Sequence, residues 1–280
     1  MKNRFCITIV FVMCVCMAKA QKEVYADLLL SKPMLEAAHG KNIKLLDNIC
    51  LTSQRTLVLA SQDSLYFLGY GGCLSYAPKD KHITAFCVTP KGLFYSNRDR
   101  LMQIVVGDNA EESLATILPF VPAKLWGGQQ VIYASVQNGA KYDLYVLSPN
   151  GLRQKKLLEL GAPVVSVLEL GSNIHVVTTR ELLVLNSRNG ACVTVPLDGA
   201  LVKDIRSALI DRETGWLYVT CANGLFGLLP EGLQKICNDT GTLCYDQEGF
   251  VLFDASQSSV IRLRKNLVKP QQKEVIIELK

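Results

Sequence analysis

Short stretches rich in β-branched and aromatic residues recur along this chain, each bounded by turn formers, and their apolar positions follow strand rather than helix spacing. Such runs open near Ile43, His82, Lys124, Val164, Lys203 and Gly241, at intervals of 39, 42, 40, 39 and 38 residues. Inside each unit a second run carries the strongest strand signal, at residues 57–60, 93–96, 131–134, 174–177, 217–220 and 250–253. A third run follows after a tight polar turn, as at 65–68, 183–185 and 260–263. A fourth, more polar run closes each unit, as at 152–156. Four short strands per unit of about 40 residues is the repeat of a propeller blade. A helical repeat of that length would need amphipathic stretches of about 10–15 residues, and Gly, Pro, Asn and Ser interrupt every candidate. The expected fold is therefore all-β: a six-bladed β-propeller with four-stranded blades over residues 43–280, with seven blades as the alternative.

A ring of sheets must close, since an open end exposes an edge to pairing with other chains. Residues 23–29 and 273–279 both have strand character. One of them completes the last blade, and the other is left to add an outer strand. Residues 21–42 are read as this N-terminal strand followed by a connection, with a possible helical turn after Pro33.

Composition supports a packed globular chain: of 280 residues, 49% are hydrophobic and 20% charged, which excludes disordered and collagen-like classes. The first twenty residues stand apart. Lys2 and Arg4 form a short basic start, residues 5–17 are almost wholly apolar, and Ala18-Lys19-Ala20 is a small-x-small cleavage sequence. Together they read as a secretory signal peptide, and the apolar run is shorter than the roughly 20 residues of a membrane span. The expected location is periplasmic or extracellular, in a bacterial cell envelope. The formal charge of +5 then falls to +2, with 27 basic and 25 acidic side chains, too little for a nucleic-acid footprint.

Seven cysteines follow residue 20: Cys50, Cys73, Cys87, Cys192, Cys221, Cys237 and Cys244. Their spacings contain no C-x-x-C and no cysteine–histidine cluster, so no metal is expected. Several lie in apolar runs, where a reduced cysteine behaves as a small hydrophobe. Cys237 and Cys244 flank a short polar turn and are the one pair placed for a local disulfide.

Hydrolase, nucleotide-binding, zinc-protease and calcium-loop signatures are absent, and no cofactor is expected. His175 sits inside a β-run as a satisfied sheet residue, His82 opens a strand, and His39 precedes a glycine in a connection. Asp211 and Asp246 precede glycines at hairpins, where a carboxylate accepts backbone hydrogen bonds. Asn223-Gly224 marks a tight two-residue turn, and Trp216 is expected to pack between blades.

Loops joining second to third strands all emerge on one face of a propeller, so residues distant in sequence share that face. They include Arg98, Asp99, Arg100, Arg180, Glu181 and Asn223. The arginines have the forked donors that suit a carboxylate, a sulfate or an acidic sugar. The plainer alternative is a set of solvated tips neutralised by Asp99 and Glu181.

Asp211, Gly215, Trp216, Thr220 and Asn223-Gly224-Leu225 form a pattern that resembles the propeller repeat of periplasmic sensor regions in two-component regulators. The likeness is good in one blade, with partial echoes at Asp246 to Gly249 and from Thr178 to Leu183. It implies the propeller fold. With no kinase, membrane or DNA-binding segment after Lys280, it implies a free-standing one. The expected function is a non-catalytic binding or scaffold module that recognises a protein or glycan of the cell envelope through one face. The alternative is a hydrolase, lactonase or lyase with its site at the central channel.

Overall fold

The computed structural model describes residues 26–69, 72–105, 111–150, 153–197, 202, 204–229, 232–246 and 248–264. The leader at 1–20 and the strand expected at 273–279 lie outside the described residues.

The chain enters through β1 (Ala26–Leu30) and a helix, α1 (Lys32–His39). Blade 1 comprises β2 (Cys50–Leu51), β3 (Leu57–Ala60), β4 (Leu65–Gly69) and β5 (Gly72–Tyr76). Blade 2 comprises β6 (Ile83–Thr89), β7 (Gly92–Asn97), β8 (Arg100–Val105) and β9 (Glu111–Ile117). Blade 3 comprises β10 (Lys124–Gly127), β11 (Ile132–Asn138), β12 (Lys141–Leu147) and β13 (Gln154–Leu160). Blade 4 comprises β14 (Val164–Leu170), β15 (Asn173–Thr178), β16 (Glu181–Asn186) and β17 (Cys192–Pro196). Blade 5 comprises β18 (Ser207–Ile210), β19 (Leu217–Cys221), β20 (Gly224–Leu229) and β21 (Gly232–Cys237). Blade 6 holds β22 (Thr242–Tyr245), β23 (Gly249–Asp254) and β24 (Ser259–Arg264), and β1 supplies its outermost strand, antiparallel to β24. These are six four-stranded antiparallel sheets, a six-bladed propeller.

The first described strand thus takes the open place in the last blade, and the ring is closed by β-pairing rather than by packing alone. The segment read as connection after Leu30 folds into α1. Pro33 lies in its first turn, where a missing N–H costs nothing, and Leu35 is buried. Gly40 ends it at φ 96°, a left-handed conformation that favours glycine.

Period-two alternation explains why both faces of each sheet are apolar. In β3, Val58 and Ala60 pack toward blade 2, whereas Leu57 and Leu59 pack toward blade 6. Six clusters fill the six interfaces around the ring. Tyr95 and Phe86 anchor the one between blades 1 and 2, Phe226 and Val219 that between blades 4 and 5, and Phe253, Leu30 and Tyr66 the closing one. Burial of each such side chain contributes about 1.5–3 kcal/mol.

At the hub, polar side chains tie four of the six blades to the next. Ser166 Oγ accepts from Ala208 N (2.8 Å), and Ser207 Oγ accepts from Leu243 N (3.0 Å). Thr242 Oγ1 donates to Asp47 Oδ1 (2.6 Å), and Asn48 Nδ2 donates to the Phe86 carbonyl (2.8 Å). Where the inner strands of blades 2 and 3 meet at Gly127 there is no room for a side chain: a Cβ there would lie 1.8 Å from the Val88 carbonyl oxygen.

The hairpin chemistry is local. Asp211 Oδ1 accepts from Glu213 N (3.1 Å), and Asp246 Oδ1 accepts from Glu248 N and Gly249 N (both 2.9 Å). Trp216 packs against the cluster between blades 5 and 6. The tight turn after β19 is one residue earlier than the Asn-Gly pair suggests. Cys221 and Gly224 are cross-strand partners, so Ala222 and Asn223 make the loop. Gly224 is required for a different reason, since its φ is 133° and a Cβ would meet the Cys237 carbonyl oxygen at 2.2 Å.

Cys237 and Cys244 are both free. Cys237 ends the outermost strand of blade 5 and Cys244 lies in the innermost strand of blade 6, so the turn between them crosses from rim to hub. Their side chains pack on opposite sides of blade 6.

Candidate functional site

Because strands alternate in direction, the loops between second and third strands share one face, here the upper face, with the connections between blades. The structure puts every predicted site residue on that face but does not gather them at one point. Arg98 and Asp99 form the exposed tip between β7 and β8, with Arg98 at φ 54°. Arg100 opens β8. Arg180 and Glu181 lie two blades away, where Thr178 Oγ1 accepts from both their backbone amides (3.2 and 3.0 Å). Asn223 caps its own hairpin, its Oδ1 lying 2.7 Å from the Cys221 thiol.

The neutralisation of the tips differs from the expected one. Arg100 Nη1 pairs at 3.0 Å with Asp80, on the connection from blade 1, not with Asp99. The Asp99 carbonyl instead accepts from Leu118 N (2.7 Å), which holds the blade 2 tip against the next connection.

That connection carries what sequence reasoning missed. Ile117, the direct cross-strand partner of Arg100, is 61% exposed, and Val121 is 52% exposed. Phe120 between them is half-buried against Tyr145 of blade 3, with ring centroids 4.3 Å apart. An apolar ledge therefore adjoins Arg98, Asp99 and Arg100 at the junction of blades 2 and 3. Its signal in the sequence is the run Leu118-Pro119-Phe120-Val121-Pro122, apolar where a solvated connection would be polar.

The hub is a second concave region. A shaft of about 510 Å³ runs between the inner strands, lined by residues such as Ile49, Leu125, Val165 and Leu243. Its hydroxyls on Ser166 and Ser207 accept from the neighbouring strands, and that of Thr242 donates to Asp47. Cys50 and Cys244 also line it, and burial pushes both thiols up, Cys244 to about 12, so they stay protonated. At the lower mouth Glu169 accepts from Tyr133 Oη (2.7 Å) and Gln129 N (2.8 Å), and burial together with this carboxylate raises the Tyr133 phenol well above its usual range. No group of three His, Cys, Asp or Glu side chains is placed to hold a metal among the described residues.

His175 is half-buried in β15. Among the described residues its Nδ1 has no hydrogen-bond partner, and burial lowers its pKa despite an opposing contact with the Leu168 backbone. The sheet position is as expected, but full satisfaction of the ring is not. His39 Nε2 lies 2.9 Å from the Cys73 carbonyl, and His82 precedes β6 at φ 88°.

No protein-family model matches the chain. No curated protein matches it either. Solved structures do. A virginiamycin B lyase from Staphylococcus aureus superposes with a TM-score of 0.58 at 11% identity, over 80% of this chain and 81% of that one. A chain of a nidogen–laminin complex gives 0.64 at 10% identity, over 76% and 90%. The extracellular domain of a putative one-component system from B. thetaiotaomicron gives 0.52 at 14% identity, over 78% of this chain and 38% of that chain. At these identities the likeness is one of fold: a β-propeller architecture found both in binding proteins and in a lyase. Among the described residues no helix is long and apolar enough to cross a membrane.

Proposed function

We propose that this chain is an exported, non-catalytic binding propeller that recognises a protein partner through the upper face of blade 2 and its junction with blade 3. The observation that carries the reading is the exposed ledge of Ile117 and Val121 beside Arg98, Asp99 and Arg100. A protein suits it better than a glycan, because exposed aliphatic side chains rimmed by charge are the composition of a protein interface. Arg100 and Asp80 are each about half exposed, so they contribute register and steering more than affinity. The engagement of the shaft hydroxyls supports recognition at the rim. The residues 1–20 support export, as does the shared architecture with an extracellular domain.

The test is capture of partners from the native cell envelope by the mature protein. Ile117→Asp with Val121→Asp should abolish capture without lowering the melting temperature. Arg180→Ala, two blades away, should leave capture intact. Equal capture by all three proteins refutes the reading. The mass of the mature N-terminus tests cleavage after Ala20.

A further inference from the structure

We propose that the upper mouth of the central channel binds a small organic carboxylate with an apolar tail. A cavity of about 530 Å³ opens there, reached by Lys124 from blade 3 and Arg206 from blade 5. It shares Asp47, Lys124 and Val165 with the shaft below, so head and tail regions are continuous.

The charges at this mouth are two cations and two acids, but they are not equally engaged. Asp47 Oδ1 accepts the Thr242 hydroxyl at 2.6 Å, and Asp254 Oδ1 accepts from Ser256 N (2.9 Å), Ser256 Oγ (2.5 Å) and Gln257 N (3.3 Å). None of the four forms an ion pair among the described residues, but the acids are held by hydrogen bonds from their own surroundings and the cations are much less so. Arg206 Nη1 donates to Thr240 Oγ1 at 3.3 Å, the one side-chain hydrogen bond of its fork among the described residues. What the mouth offers is therefore two cationic donors, the chemistry that pairs with a carboxylate. Below them the shaft walls at Ile49, Leu125, Val165 and Leu243 supply apolar surface that a hydrocarbon chain covers. An ammonium head group would meet two cations beside it and find one oxygen of each carboxylate already accepting hydrogen bonds. An uncharged alcohol would use the shaft and waste the mouth.

The test is calorimetric titration of the mature protein with hexanoate, heptanoate and octanoate, alongside octanol and octyltrimethylammonium. The carboxylates should bind saturably, with affinity rising about fourfold per added methylene. Octanol and the ammonium compound should bind at least tenfold more weakly than octanoate, since a charge-assisted contact is worth that much. Lys124→Ala combined with Arg206→Ala should reduce octanoate affinity at least tenfold, and the blade 2 variants should leave it unchanged. Absence of saturable carboxylate binding, equal binding of all three octyl compounds, or an unaltered affinity in the folded double variant overturns the proposal. The ligand series uses the unmodified protein, so it decides the matter even if the double variant does not fold.

Discussion

Replacing Gly127 by alanine tests how the ring is held together at the hub. The added Cβ would lie 1.8 Å from the Val88 carbonyl oxygen and 2.7 Å from its carbon, whereas real Cβ atoms keep at least 3.0 Å from such neighbours. Both obstructing atoms are backbone of blade 2, so no rotamer change relieves the clash. The inner strands of blades 2 and 3 would have to part by more than an ångström, loosening the cluster that holds Leu125, Ile132 and Phe94. Overpacking a well-filled core costs about 1–3 kcal/mol, and an unyielding backbone contact puts this change near the top of that range or beyond, about 4 kcal/mol. For a domain of this size that corresponds to a fall in melting temperature of roughly 8–16 °C. Gly139→Ala is the control: that glycine sits at φ 62° with open space around its Cβ position. Its only cost is the left-handed backbone, about 1–2 kcal/mol. Thermal and urea unfolding of the two variants separates close approach from backbone conformation. A Gly127→Ala protein that melts no lower than Gly139→Ala would refute the account of the hub.

Two further outcomes follow from buried charge. Arg262 reaches Asp246 through Nε (2.8 Å) and Nη2 (2.7 Å), and Asp246 is 8% exposed at its side chain. Arg262→Gln should therefore cost about 3 kcal/mol in urea unfolding, because it strands a buried carboxylate. Glu248→Gln removes the other partner, which is 51% exposed, and should cost less than about 1 kcal/mol. Equal costs would show that burial does not set the difference. The depressed pKa of His175, caused by burial, means the unfolded chain takes up its proton more readily than the folded one. Stability is complete above the ordinary value of 6.5 and declines as pH falls below it. His175→Gln should flatten that part of the melting-temperature profile, and parallel profiles for the two proteins would contradict the assignment.

Periodicity and turn chemistry are short-range signals, and the sequence by itself determined what they govern. The number of blades, the central strands at 57–60 or 217–220, and the carboxylate-capped hairpins at Asp211 and Asp246 were all legible, because each depends on residues within one hairpin. Only the tertiary structure decided relations between strands that meet after the ring closes. Two terminal segments had equal strand character, and the pairing of β1 with β24 assigned the open place to the first. Only six residues lie between Cys237 and Cys244, yet one belongs to the rim and the other to the hub. Arg100 found its counterion on the connection from the previous blade, and Ile117 and Val121 were left uncovered beside it. Lys124 and Arg206 meet one cavity from blades 3 and 5. Local pattern sets the fold of each sheet, but the angular position of a blade sets which side chains share a surface, and that depends on packing around the whole circle.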